Sequence, residues 1–74
     1  METAIFISQE TAEAAGKLWM RKAKDAHSYT VCRRIKRGQM LGYWVMVRAW
    51  SKDSESAGPI TDNILKIIME RAAK

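Results

Sequence analysis

Asp25, His27 and Cys32 fall within one short stretch, DAHSYTVC, and are the residue types from which a thiol nucleophile and its base are built. The chain has one histidine and one cysteine, so no second pair competes with this one. Catalytic pairs are defined by distance in the fold, and this spacing matches no nucleophilic arrangement. Cys32 reads instead as a small strand residue and His27 as a turn residue. Glu10 and Glu13 share a helix side, but two surface carboxylates are ordinarily solvated. Gly16, Gly38, Gly42 and Gly58 are too scattered to form a phosphate-cradling loop. A single His and a single Cys also rule out a structural zinc site of the usual kind. The expectation is a protein that is not an enzyme and has no metal or other cofactor.

A second kind of chemistry is better represented. YTVCRRIKRG, residues 29–38, begins as a β-strand and ends in Arg33, Arg34, Lys36 and Arg37; the next stretch, MLGYWVMVRAW, is almost wholly apolar. The net charge is +5 and unevenly spread. Residues 1–16 hold three acids and no cation, whereas residues 17–37 hold eight cations against Asp25 alone. Such asymmetry points to an anionic partner, nucleic acid first among them. Arg33, Arg34, Lys36, Arg37 and Arg48 are the candidates for phosphate contact. Trp44 and Trp50 are candidates for stacking on bases, and Lys17, Arg21 and Lys24 would extend the basic track along a helix. The plainer reading is that these cations keep the chain soluble and stop a sheet edge from pairing with another chain.

A 74-residue chain buries only a little over half of its unfolded surface. With no internal disulfide and no metal, stability must come from good packing or from a second copy, of which the dimer is preferred. The N-terminus lacks a basic region and its apolar run, AIFI, is short for a signal peptide. No run approaches the ~18 apolar residues of a membrane span. The expectation is a soluble, cytoplasmic protein with no membrane contact, and a lone thiol fits a reducing compartment.

The elements that would position the cations follow from periodicity. TAIFI, residues 3–7, reads as a short buried strand. Ser8 then caps a helix from about Gln9 to Asp25, with Ala12, Ala15, Gly16, Trp19, Ala23 and Ala26 as its apolar stripe. Strands over Tyr29–Lys36 and Leu41–Trp50 form a hairpin, with Gly38 at positive φ. SKDSESAGP, residues 51–59, reads as a polar loop. Thr61 caps a last helix from Asp62 to Ala72, with Ile60 and Leu65 as a hydrophobic staple and Ile64, Ile67, Ile68 and Arg71 on one face. The expected fold is α+β in the order β-α-β-β-α. Its three-stranded antiparallel sheet has order 2-3-1, with both helices on one face, in a single domain over residues 1–74. The order resembles a ferredoxin-like unit lacking its last strand, a likeness of topology alone.

Hairpin parity decides what the uncovered sheet face presents. A two-residue turn at Arg37-Gly38 puts Trp44, Met46, Arg48 and Trp50 on the face of Tyr29 and Val31. A loop with an odd count instead joins Tyr29, Val31 and Ile35 to Leu41, Tyr43, Val45 and Val47. Thr30, Cys32, Arg34, Lys36, Trp44, Met46, Arg48 and Trp50 then collect on the other face. The second arrangement leaves fewer β-branched residues uncovered and is preferred. Two functions compete on that surface. One is a small nucleic-acid-binding module, with RNA and DNA both open. The other is a protein-interaction module: a homodimeric adaptor joined through the open sheet face, or a small inhibitor, of the size common among accessory proteins of mobile elements, that docks on an acidic or nucleic-acid-binding surface.

Overall fold

The computed structural model describes residues 3–51 and 54–73. Helix α1 (Gln9–Lys22) precedes three strands, β1 (Ala26–Lys36), β2 (Gln39–Ser51) and β3 (Ser54–Pro59), and helix α2 (Asp62–Ala72) follows. The sheet is antiparallel with order β1-β2-β3. The α+β class stands, but the element order is α-β-β-β-α. The expected β-α-β-β-α order, the 2-3-1 sheet and the ferredoxin-like likeness are corrected together.

Two segments account for the difference. SESAGP has few β-formers and reads as loop, yet it pairs with β2 from Met46↔Pro59 to Ser51↔Ser54. Main-chain hydrogen bonding to a long central strand overrides weak local preference. Lys52 and Asp53 of the expected loop lie outside the described residues. Because β3 takes the far edge of β2 from Met46 onward, little of that edge is left for residues 3–7. Phe6 exchanges two hydrogen bonds with Tyr43 (2.8 and 2.9 Å), and Ala4 N–H donates to the Ile60 carbonyl (2.9 Å). The N-terminal segment therefore makes isolated bridges, Phe6↔Tyr43 and Thr3↔Thr61, where a strand was expected.

Helix α1 begins at Ser8, whose Oγ accepts from Thr11 N–H while Thr11 Oγ1 accepts from Ser8 N–H, a reciprocal cap. It ends three residues before the expected Asp25, because Ala23 is already extended and β1 starts at Ala26. The carbonyl of Lys22, orphaned at that end, accepts from Arg71 Nη1 at 3.0 Å, so the last turn of α2 caps the last turn of α1.

Both helices lie on one side of the sheet. Gly16 rests on the ring of Tyr29; a Cβ there would collide with the ring, which is why the helix carries glycine at this position. Tyr29 Oη donates to Glu13 at 2.9 Å, tying β1 to α1. The buried residues are mostly small: Ala4, Ala12 and Ala15 with Trp19, Val45, Val47, Ile60 and Ile68. Of the expected α2 face, Ile68 is buried and Ile64 half-buried, but Ile67 is exposed. The helix lies against α1, and Ile64 and Leu65 pack against the core cluster.

The hairpin combines the two parities. Its turn has two residues, Arg37 (φ 53°) and Gly38 (φ 77°), both at positive φ, the geometry that matches strand twist. Ile35 faces Met40 and Lys36 faces Gln39; a bulge follows, and from Arg34↔Gly42 to Ser28↔Arg48 the pairing has shifted by one residue. Gly42 makes the shift possible. It sits at φ 147°, and a Cβ there would lie 2.6 Å from the Phe6 carbonyl oxygen. Arg37 is the one non-glycine residue at positive φ among those described, a conformation that costs an L-residue about 1 kcal/mol.

Two outcomes test this account. Gly42→Ala should lower stability by about 1–3 kcal/mol through backbone strain and the Phe6 contact, read as a lower urea midpoint at unchanged slope. Donation to Glu13, burial and the Glu13 charge together hold the Tyr29 phenol above its ordinary pKa. The folded state then keeps that proton to higher pH than the unfolded chain. Its contribution to stability is complete below pH ~10 and is lost as pH rises through the folded value. An ultraviolet titration should show one tyrosine ionising late, and Glu13→Ala should bring it back.

Candidate nucleic-acid interface

Tyr29, Val31, Val45 and Val47 face the helices, so the alternate residues of the same strands form the opposite face. There Cys32 lies opposite Trp44, Thr30 opposite Met46, and Ser28 opposite Arg48. Arg34 lies opposite Gly42, which has no side chain, and diagonal to Trp44, within reach for a long side chain. Lys36 continues the same alternation. Pro59, Ala57 and Glu55 complete the face from β3. Among the described residues, no helix or strand covers it.

The ten sequence-chosen residues divide into four places. Arg34, Lys36, Trp44, Arg48 and Trp50 share the open face. Arg33 lies on the helix side, opposite Tyr43 and exposed beyond the helical layer. Arg37 occupies the turn. Lys17, Arg21 and Lys24 sit on or just after α1, across the sheet from the tryptophans. A single basic track joining helix and hairpin is therefore not what the fold makes.

The open face is also graded along its length. Trp44 and Trp50 are six residues apart, roughly 20 Å along the strand, so they would engage separate groups and cannot sandwich one. At the Trp50 end, Glu55 approaches Arg48 at 3.6 Å, an exposed pair worth about 0–1 kcal/mol. The His27 ring meets Trp50 edge-on at 5.2 Å. The Trp44 end has Arg34 and Lys36 and no acid. Positive charge is therefore densest beside the half-buried Trp44, whereas the more exposed ring is Trp50.

Nothing assembles the sequence-adjacent thiol and imidazole. His27 lies beside Ser28 and Trp50, while the Cys32 thiol points back to the Thr30 carbonyl at 3.9 Å, five residues and about 16 Å along the strand. No metal-holding group of His, Cys, Asp and Glu occurs among the described residues. A hollow of about 460 Å³ between α1, α2 and β3 has Lys24, Asp25 and Arg71 among its lining, without a catalytic constellation.

Sequence reasoning missed the apolar pair at the hairpin end. Ile35 is 60 % and Met40 48 % exposed, and Leu41 at the bulge is 49 % exposed. Residues 33–41 are all exposed, so this end of the hairpin projects as an arm past the helices. Gly42 inside an otherwise apolar strand was the available signal for the bulge that sets this arm apart.

No family model, no curated protein and no solved structure matches the chain. No helix among the described residues is long and apolar enough to cross a membrane.

The open face makes a direct optical prediction. Trp19 is 5 % exposed and Trp50 49 % exposed, with Trp44 between them. Acrylamide should quench the latter two and spare Trp19, and Trp50→Phe should remove much of the quenchable emission. Quenching that falls as protein concentration rises would mean that the open faces of two copies stack.

Proposed function

We propose that the protein is a small non-catalytic nucleic-acid-binding module that uses the open sheet face. The observation that carries this reading is the coincidence of the half-buried Trp44 with Arg34 and Lys36 on a surface that no described helix or strand covers. An indole supplies a stacking platform indifferent to base identity, and adjacent cations neutralise phosphates. Charge distribution supports it. Residues 26–51 contain five cations and no acid, while the rest of the chain has eight of each, so the entire net charge of +5 resides on the hairpin. Stacking two open faces in a homodimer would bring Arg34, Lys36 and Arg48 of both copies together. The same charge thus disfavours the dimer expected from chain length.

A protein-interaction role draws on a different surface. Met69, exposed, and Leu65, half-buried, lie one turn apart on α2 and offer an apolar surface suited to a partner that leaves the sheet free.

Anisotropy of a labelled single strand, titrated at several salt concentrations, tests the main reading. Affinity should fall linearly in log–log form, and Arg34→Ala with Lys36→Ala should flatten the slope by about 0.7 per cation. Trp44→Ala should weaken binding by about 1–3 kcal/mol with the fold retained by circular dichroism. Unchanged affinity in both folded variants would refute the open-face assignment.

A further inference from the structure

The open face explains Trp44, Arg34 and Lys36 but leaves the end of the hairpin unused. That end carries Arg33 on the helix side, Arg34 and Lys36 on the opposite side, and Arg37 at the turn. Ile35 and Met40 form an exposed cross-strand pair between them. A flat partner, whether an extended single strand or a lipid surface, engages one face of such a ribbon at a time and leaves the cations of the other face idle. A groove walled by phosphates on both sides engages all of them. The geometry points to insertion of the hairpin arm, residues 33–41, into the major groove of duplex DNA. This rests on the nucleic-acid reading above and adds to the single-strand platform of the open face a second site for duplex DNA.

Dimensions agree. The major groove of B-form DNA is about 12 Å wide and 8.5 Å deep and admits a two-stranded β-ribbon. Four residues of strand, Arg33 to Lys36, extend roughly 13 Å, enough to reach the groove floor. The floor presents thymine methyl groups as well as polar edges, and the Ile35–Met40 pair is apolar surface of the kind that contacts them. The deep, narrow major groove of an RNA duplex excludes the arm.

The turn adds an independent observation. Arg37 stands at φ 53°, where Asn or Gly is the favoured residue. A cation is thus kept at the tip against local conformational preference, and it is the residue that enters a groove first. The same feature yields a clean variant: Arg37→Asn removes the charge from a position whose backbone suits asparagine better than arginine, so the fold is not at risk.

The parent and two variants, Arg33→Gln/Arg37→Asn and Ile35→Ser/Met40→Ser, would be titrated with a short DNA duplex, an RNA duplex of the same sequence, a single strand, and vesicles of phosphatidylcholine with phosphatidylserine. The parent should prefer the DNA duplex to the RNA duplex. Arg33→Gln/Arg37→Asn should lose roughly tenfold or more in duplex affinity at moderate salt and flatten its salt slope by about 1.8, with single-strand affinity unchanged. Ile35→Ser/Met40→Ser should weaken duplex binding without changing the slope. Duplex affinity equal to the parent in both variants would place the arm outside the groove while leaving the open-face reading intact. Equal affinity for the DNA and RNA duplexes would overturn the groove assignment in the same way. Failure of the parent to bind any nucleic acid would remove both readings, and binding to the vesicles alone would assign the arm to an anionic lipid surface.

Discussion

One backbone constraint, the bulge at Gly42, determines what each face of this domain presents. At φ 147° and against the Phe6 carbonyl, the position accepts no side chain, and the strand shifts its pairing by one residue there. Beyond the bulge, Val45 and Val47 face the helices with Tyr29 and Val31, which closes the core. The same shift turns Trp44, Met46, Arg48 and Trp50 to the uncovered side. Without it, a two-residue turn would carry those four residues inward and expose the valines, because side chains alternate strictly. The core and the basic-aromatic surface are therefore two consequences of one glycine.

The far edge of β2 shows how a chain of this size closes its sheet with little regular structure. Phe6 bonds to Tyr43, Ile60 N–H donates to the Val45 carbonyl, and β3 takes the remainder from Met46. Two separated segments, the N-terminal one through Phe6 and the continuous run of residues 54–60, thus share one strand edge. Ala4 and Ile60, which flank these bonds, are buried. Their apolar side chains fill space while their main chains satisfy groups that burial would otherwise leave unpaired. The other sheet edge, along the eleven residues of β1, has no strand beyond it among the described residues, and the cations clustered toward its end discourage pairing with a second chain.

What the sequence disclosed and what it hid divide along physical lines. Caps and helix stripes are local, so Ser8, Thr61 and the Trp19 anchor were readable. The central hairpin was readable because β-branched and aromatic residues dominate it. SESAGP was not, because its strand state depends on a neighbouring edge and not on its own composition. TAIFI has strand composition but finds only one free position on that edge, so its composition misleads. The hairpin parity was undecidable from loop length alone: the turn has the even count and the body of the hairpin the odd register. The list of candidate cations was readable as a set, but their partition among two faces, a turn and a helix required the bulge to be seen.

The separation of charge bears on both stability and binding. Outside the hairpin, acids and bases balance, so the helices, β3 and the terminal segments contribute no net repulsion. Within it, four cations occupy five consecutive positions, closer than the ~8 Å over which salt screens charge, with no acid on either strand. Only Arg48 has an acidic neighbour, Glu55 on β3, among the described residues. Solubility alone is served as well by mixed charges, which avoid this local repulsion. Concentrating the excess on an exposed two-stranded arm places the repulsion where no core residue depends on it. An anion arriving there relieves it, and whatever binds the native hairpin more tightly than the unfolded chain also stabilises the fold. Cations adjoin the most apolar strand for a geometric reason: that strand's inward side completes the core, and its outward side is covered by no helix or strand among the described residues.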